Sequence, residues 1–146
     1  MKKTDIQLIH ANWQEHRTQL GEVRRKVFIE EQQVPEEMEW DEYDAACHHI
    51  LAIDLNNQPV ATGRIKPDGH IGRMAVLAEW RNRGIGTAIL DALMNYAVKQ
   101  NIKEVILHAQ VSAIPFYSKL GFEICSDEFM DAGIPHRTMK KSLVVK

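Results

Sequence analysis

The sequence is poor in the residues that mark special classes of protein. Cysteine occurs twice in 146 residues, at Cys47 and Cys125, far apart and in no CxxC spacing. That excludes a disulfide scaffold or a cysteine-built zinc site, and two reduced thiols in a cytoplasmic protein are expected. Eight glycines and five prolines are too few for a fibrous or low-complexity chain. Neither sign of charge dominates: 18 Lys and Arg face 20 Asp and Glu, so no broad attraction to nucleic acid is expected. No apolar run approaches the length of a membrane span, and Met1 to Gln7 turns polar too soon for a signal-peptide core. The seven histidines form no HExxH motif and no Cys/His cluster, so no metal is expected.

What is present is an ordinary share of apolar residues, 45%, enough for one core and one domain over residues 1–146. Ile6, Leu8 and His10 alternate with polar residues as a half-buried strand does. After Asn12, a candidate N-cap, Trp13, His16, Leu20, Val23, Val27 and Phe28 mark an amphipathic helix, with a break expected at Gly21 and an end before Pro35. An acidic, irregular segment runs from Glu36 to Asp44. His49 to Leu55 and Val60 to Lys66 read as a hairpin turned by Asn56-Asn57-Gln58-Pro59, and His70 to Leu77 as a third meander strand after Pro67-Asp68-Gly69. Ile85, Ala88, Ile89, Ala92, Leu93, Tyr96 and Ala97 then line one face of a long helix. Val105-Ile106-Leu107 reads as a strand buried on both faces. A shorter helix from Ser112 stops at Gly121, and two strands, Phe122 to Cys125 and Arg137 to Val144, end the chain. The predicted architecture is α/β: a mixed, mostly antiparallel sheet of about six to seven strands, a central parallel βαβ unit, and helices on both faces.

The stretch between the third meander strand and the long helix carries most chemical information. A helix start offers unpaired N–H groups and the positive end of the helix dipole to an anion. Gly84 and Gly86 remove the Cβ atoms that would keep a phosphate from the backbone, and Arg81 and Arg83 add two positive charges. Together Arg81-Asn82-Arg83-Gly84-Ile85-Gly86-Thr87 describe a pyrophosphate cradle; the bland reading is a sharp strand-to-helix turn. Two better-known phosphate motifs are excluded, since no GxxxxGK[ST] string exists and a GxGxxG fingerprint would need glycine where Ile89 stands.

These residues resemble the signature Arg/Gln-x-x-Gly-x-Gly/Ala of the GNAT superfamily of acyl-CoA-dependent N-acyltransferases, through Arg81, Gly84 and Gly86. Ile71-Gly72-Arg73-Met74-Ala75-Val76 resembles that family's bulged fourth strand, and Ala113 to Phe122 its acyl-CoA-side helix and next strand. Arg24 to Phe28 with Glu31-Gln32, and Ala132 to His136, resemble the ElaA/YjcF-type branch. The resemblance implies an N-acetyltransferase using acetyl-CoA, with cofactor contacts from Met74, Ala75, Val76, the loop 81–87, Gln110 and Phe116. It also implies a Val76 N–H aimed at the thioester oxygen and Tyr117 as the acid that protonates the departing thiolate. Family members are often dimers, so a homodimer is compatible with it. The structural reading of Tyr117 is a core tyrosine in the apolar stripe Ile114-Tyr117-Leu120.

The base that takes a proton from the amine is left open among His48, His49, His108, Glu31, Asp41 and Asp44, or water. Eight acidic residues between Glu30 and Asp44 carry no intervening lysine or arginine. They are expected to form either an acidic wall that draws a cationic amine or a merely solvated loop. The alternative to an enzyme is a non-catalytic acyl-CoA-binding module on the same fold, which would have no need of Tyr117.

Overall fold

The computed structural model describes residues 5–144. The sheet has eight strands: β1 (Ile6–Ala11), β2 (His48–Asp54), β3 (Pro59–Ile65), β4 (His70–Val76), β5 (Glu104–Gln110), β6 (Glu123–Ile124), β7 (Phe129–Asp131) and β8 (Ile134–Ser142). Their order across the sheet is β1-β2-β3-β4-β5-β8-β6, with β7 paired to β8 off this path. Among the described residues only β4 and β5 run parallel; every other neighbouring pair is antiparallel. β7 exceeds the expected strand count. It forms a hairpin with β8 through Ala132 and Gly133, both at positive φ.

Asn12 caps α1 (Trp13–Arg24) by accepting the Glu15 N–H at 2.8 Å, as expected. The expected break at Gly21 does not occur, because helical backbone continues past it beneath the Trp40 ring. Instead the helix widens into a π-helical turn over Arg25–Glu31, closed by Gln32 N–H donating to Val27 O at 3.0 Å. The acidic segment is more regular than expected, with a single turn, α2 (Glu36–Glu39), and a 3-10 turn at Asp44–Ala46.

Helices cover both faces of the sheet. Leu51 and Ile53 of β2 pack with Leu20 and Trp13 of α1. Ile50 and Ala52, on the opposite face, join the cluster containing Ile89, Leu90 and Leu93 of α3 (Ile85–Lys99). The expectation for β5 needs correction. Val105, Leu107 and Ala109 are buried, but Ile106 and Gln110 are half-buried and His108 is exposed. One face of β5 therefore belongs to the core and the other borders open space. The short helix is α4 (Ile114–Lys119), preceded by a 3-10 turn, and Gly121 ends it at φ 94°.

Candidate active site

β4 and β5 are joined by α3, and they separate almost as soon as they meet. Their parallel pairing comprises His70 opposite Ile106 and Ile71 opposite Leu107, and no further register pair. The cause lies on the other side of β4. Arg64 stands opposite Gly72 and Thr62 opposite Ala75, so Gly63 alone faces both Arg73 and Met74, a bulge. Arg73 has φ 50°, left-handed for a residue with a side chain. Gly63 makes the bulge possible, since a Cβ there would lie 2.6 Å from the Met74 sulfur. The bulge bends β4 away from β5 and leaves a wedge-shaped gap.

The gap opens into a cavity of about 710 Å³ that reaches from Gly84, Gly86 and Thr87 to His70, His108 and His136. Along an antiparallel ladder, successive N–H groups point to opposite sides. Leu77 N–H donates to Val60 O on the β3 side at 2.9 Å, so the Val76 N–H points into the gap. Gly84 is the N-cap of α3 at φ 79°, a conformation open to glycine. Ala88 N–H makes the first helical bond, to Gly84 O, which leaves the N–H groups before it without intrahelical partners. At Gly86 a side chain would start 3.5 Å from the Phe116 ring and extend toward the cavity rather than into packed backbone.

Tyr117 is the one buried residue of α4, 9% exposed, with its ring set edge-on to Phe116 and Phe122. It lines the cavity, and its hydroxyl forms no hydrogen bond with another described residue. Burial pushes its pKa up to about 12, so the phenol keeps its proton across the neutral range.

The pattern of the acetyltransferase (GNAT) domain matches residues 13–143. The chain belongs to the GNAT acetyltransferase family. The Bacillus subtilis (strain 168) protein named as the uncharacterized N-acetyltransferase YjcF is 42% identical over 123 residues, 82% of this chain and 87% of its own length. The crystal structure of Escherichia coli ElaA superposes with a TM-score of 0.83 at 26% identity, covering 93% of this chain and 99% of that one. An aminoglycoside 6'-N-acetyltransferase complexed with coenzyme A matches at TM-score 0.73 and 15% identity, covering 96% and 98%, a likeness of fold.

In this acetyltransferase the cavity wall includes Met74, Ala75, Val76, Arg81, Asn82, Gly84, Ile85, Gly86, Thr87, Gln110, Phe116 and Tyr117, every site residue expected from sequence except Arg83. Arg83 instead lies over the Trp80 ring, 5.1 Å from its centroid. Ile85 has its side chain in the core and can offer only backbone. Arg81 is less available for a phosphate than its charge suggests. Its two terminal nitrogens hold Glu31 at 2.8 and 2.6 Å, and its Nε donates to Val76 O at 2.9 Å.

Five of the eight acidic residues are ion-paired with arginines that the sequence places elsewhere. Arg24 reaches Glu39 (2.8 Å) and Asp44 (2.7 Å), and Arg64 reaches Asp41 (2.7 Å) and Asp44 (2.6 Å). Arg25 holds Glu36 at 2.9 Å. Arg73 donates to Glu39 O at 3.0 Å and to Asp41 Oδ2 at 3.3 Å, so the segment grips the bulge itself. Burial alone would raise the Asp41 carboxyl, but the hydrogen bond and charge of Arg64, with the charge of Arg73, bring it down to about 2. For Glu39 burial outweighs the arginines and the pKa is raised. An acidic wall for a cationic acceptor is therefore not what this segment forms. It is an ion-paired brace.

Most of the candidate bases are also accounted for. His49 is 1% exposed, bonded to Asp44 O at 2.9 Å and stacked on Trp13. His48 bonds His10 at 2.8 Å and stacks flat on Tyr96 at 3.8 Å, away from the cavity. Glu31, Asp41 and Asp44 are in ion pairs. Sequence reasoning missed the Arg73 brace and the Gln110–Gln32 hydrogen bond (2.8 Å) that ties β5 to the end of the π-helical turn. It also missed the place of His70 and His136 on the cavity wall; their sparse, non-periodic positions give no signal. Among the described residues no group of three or more His, Cys, Asp or Glu could hold a metal ion. No helix of the described residues is long and apolar enough to cross a membrane.

Proposed function

We propose that this enzyme transfers an acetyl group from acetyl-coenzyme A to a primary amine by direct attack of the amine on the thioester. The observation that carries the reading is the single cavity joining the bare N–H groups at the α3 start, the Val76 N–H in the gap, and the Tyr117 hydroxyl. The loop 81–87 fits a pyrophosphate, because Gly86 leaves the approach to the helix start clear. The splayed edge of β4 fits an extended pantetheine arm, with Ala75 and Met74 behind it and Gln110 and Phe116 across from it. The Val76 N–H is placed to stabilise charge developing on the thioester oxygen. Tyr117, protonated at neutral pH, supplies the proton that the leaving thiolate needs.

The test is incubation with acetyl-CoA and a panel of primary amines, including polyamines, amino sugars, amino acids and lysine peptides. Thiol release is followed optically and the product by mass spectrometry. An acetylated amine formed in step with thiol supports the reading. Coenzyme A binding without thiol release for any amine would support a binding module instead.

A further inference from the structure

One histidine remains on the cavity wall in a setting suited to proton transfer. His108 projects from the face of β5 that borders the cavity, the same face as Gln110. Its Nδ1 stands 2.9 Å from Thr138 Oγ1 on β8, and its ring meets the Phe129 ring edge-on at 5.5 Å. With Nδ1–H donating to Thr138, Nε2 carries the lone pair, and no described residue bonds it. The His70 ring lies 5.9 Å away between centroids. His70 Nδ1 in turn is 2.9 Å from Oδ1 of Asp68, whose side chain is 63% exposed. The two rings share no hydrogen bond, and His108 is itself open to solvent.

We propose that His108 Nε2 is the base that takes the proton from the attacking amine and passes it to solvent, to which the residue is open. The inference rests on the acyl-transfer reading above. The nitrogen lone pair forms the C–N bond, the nitrogen proton goes to His108, the C–S bond breaks, and the sulfur takes the Tyr117 proton. One proton is accepted on the amine side and one is given on the sulfur side, so amine and thioester become amide and thiol. The two side chains then regain their starting states through solvent. An amine arriving as ammonium first loses a proton to solvent through His108.

The charged surroundings favour this role. Burial lowers the His108 pKa, His70 pushes the same way, Asp131 on β7 opposes, and His136 on β8 and Lys66 at the end of β3 lower it further. The ring is therefore neutral and ready to accept a proton at pH 7. The other histidines lining the cavity are less suited: His136 is 8% exposed with Nδ1 bonded to Ile134 O, and His70 is bonded to Asp68.

The test compares two small nucleophiles that need the base to different degrees. Ethylamine is protonated at pH 7 and needs its proton removed; hydroxylamine is neutral there and attacks without prior deprotonation. Acetyl-CoA-dependent thiol release is measured for the wild type and for His108→Gln, whose amide can keep the bond to Thr138. The expected result is a loss of about 10²-fold or more with ethylamine and less than about tenfold with hydroxylamine. Added imidazole should also restore part of the ethylamine rate in His108→Ala. Equal losses with both nucleophiles would mean that His108 only shapes the cavity, and unchanged rates that it is uninvolved; either overturns the inference. If the wild type releases thiol with neither nucleophile, the comparison is made with an amine accepted in the panel above, and if no amine there is accepted the acyl-transfer reading fails and takes this inference with it.

Discussion

Arg81 and Glu31 face each other in a two-point ion pair, 2.6 and 2.8 Å, that joins the loop after β4 to the π-helical turn after α1. A pair this exposed adds little stability by its charge. Its effect is geometric, because it fixes the guanidinium whose Nε holds the Val76 carbonyl. Arg81→Ala should therefore loosen the end of β4 and weaken coenzyme A binding about tenfold, roughly 1.4 kcal/mol. Arg81→Lys should fail to restore it, since one ammonium cannot serve three acceptors in a plane. Calorimetric titration decides the matter, and unchanged affinity in Arg81→Ala would show that Val76 holds its place unaided.

The brace on the bulge makes a second prediction. Asp41 accepts from Arg64 at 2.8 and 2.7 Å and from Arg73 at 3.3 Å, so Asp41→Asn leaves two arginines short of a carboxylate. The expected loss in denaturant unfolding at pH 7 is about 2 kcal/mol, reduced because Asp41 is partly open to solvent. Glu37→Gln is the control: that side chain is exposed and in no ion pair among the described residues, and it should shift stability by less than about 0.5 kcal/mol.

Removing only the Tyr117 hydroxyl should separate chemistry from binding. Tyr117→Phe keeps the edge-on contacts with Phe116 and Phe122. Turnover of acetyl-CoA with an accepted amine should fall about 10²–10⁴-fold, while coenzyme A affinity and melting temperature stay near wild type. A wild-type rate would reduce Tyr117 to a packed aromatic.

Acid should weaken the fold through His48. Burial, with the charges of His10 and His49, lowers its pKa from 6.5 to about 4. Below 6.5 the unfolded chain takes up a proton that the folded chain refuses until about 4, so stability is lost as pH falls through that window. His49 and His108 are lowered too and act in the same direction. Urea unfolding should give lower stability at pH 5 than at pH 7. His48→Phe, which preserves the stack on Tyr96, should flatten part of that dependence, and an unaltered dependence would remove His48 from the account.

The parts legible in the sequence were those written in local order. Asn12 before an apolar period of three to four marked the α1 start, and Asn56 to Pro59 marked the β2–β3 turn. Gly84 just before and Gly86 just within the start of the Ile85-Ile89-Leu93 stripe marked the α3 start with its cavity. What escaped depends on side chains distant in the chain. Five of the eight acidic residues from Glu30 to Asp44, read as free charge, are paired with arginines at 24, 25, 64, 73 and 81. The positive φ at Arg73 carries no local mark, because arginine has no preference for it and the contacts that hold it, the acidic brace and the space left by Gly63, come from elsewhere in the chain. The two-faced burial expected for Val105-Ile106-Leu107 failed at Ile106, which lies on the face of β5 that borders open space although it is still paired with β4, a consequence of tertiary packing rather than of composition.

In the proposed reading the cofactor enters between β4 and β5 and lays its pyrophosphate on the start of α3. Gly86→Val tests it most directly, since the new side chain begins at ordinary contact distance from Phe116, 3.5 Å, and can fold in place while filling the approach to the helix start. Titrating coenzyme A into the wild type should give a dissociation constant in the micromolar range, about −8 kcal/mol at 1 μM. The same titration of Gly86→Val, at unchanged melting temperature, should give no measurable heat of binding. A folded Gly86→Val that binds coenzyme A as the wild type does would contradict the account.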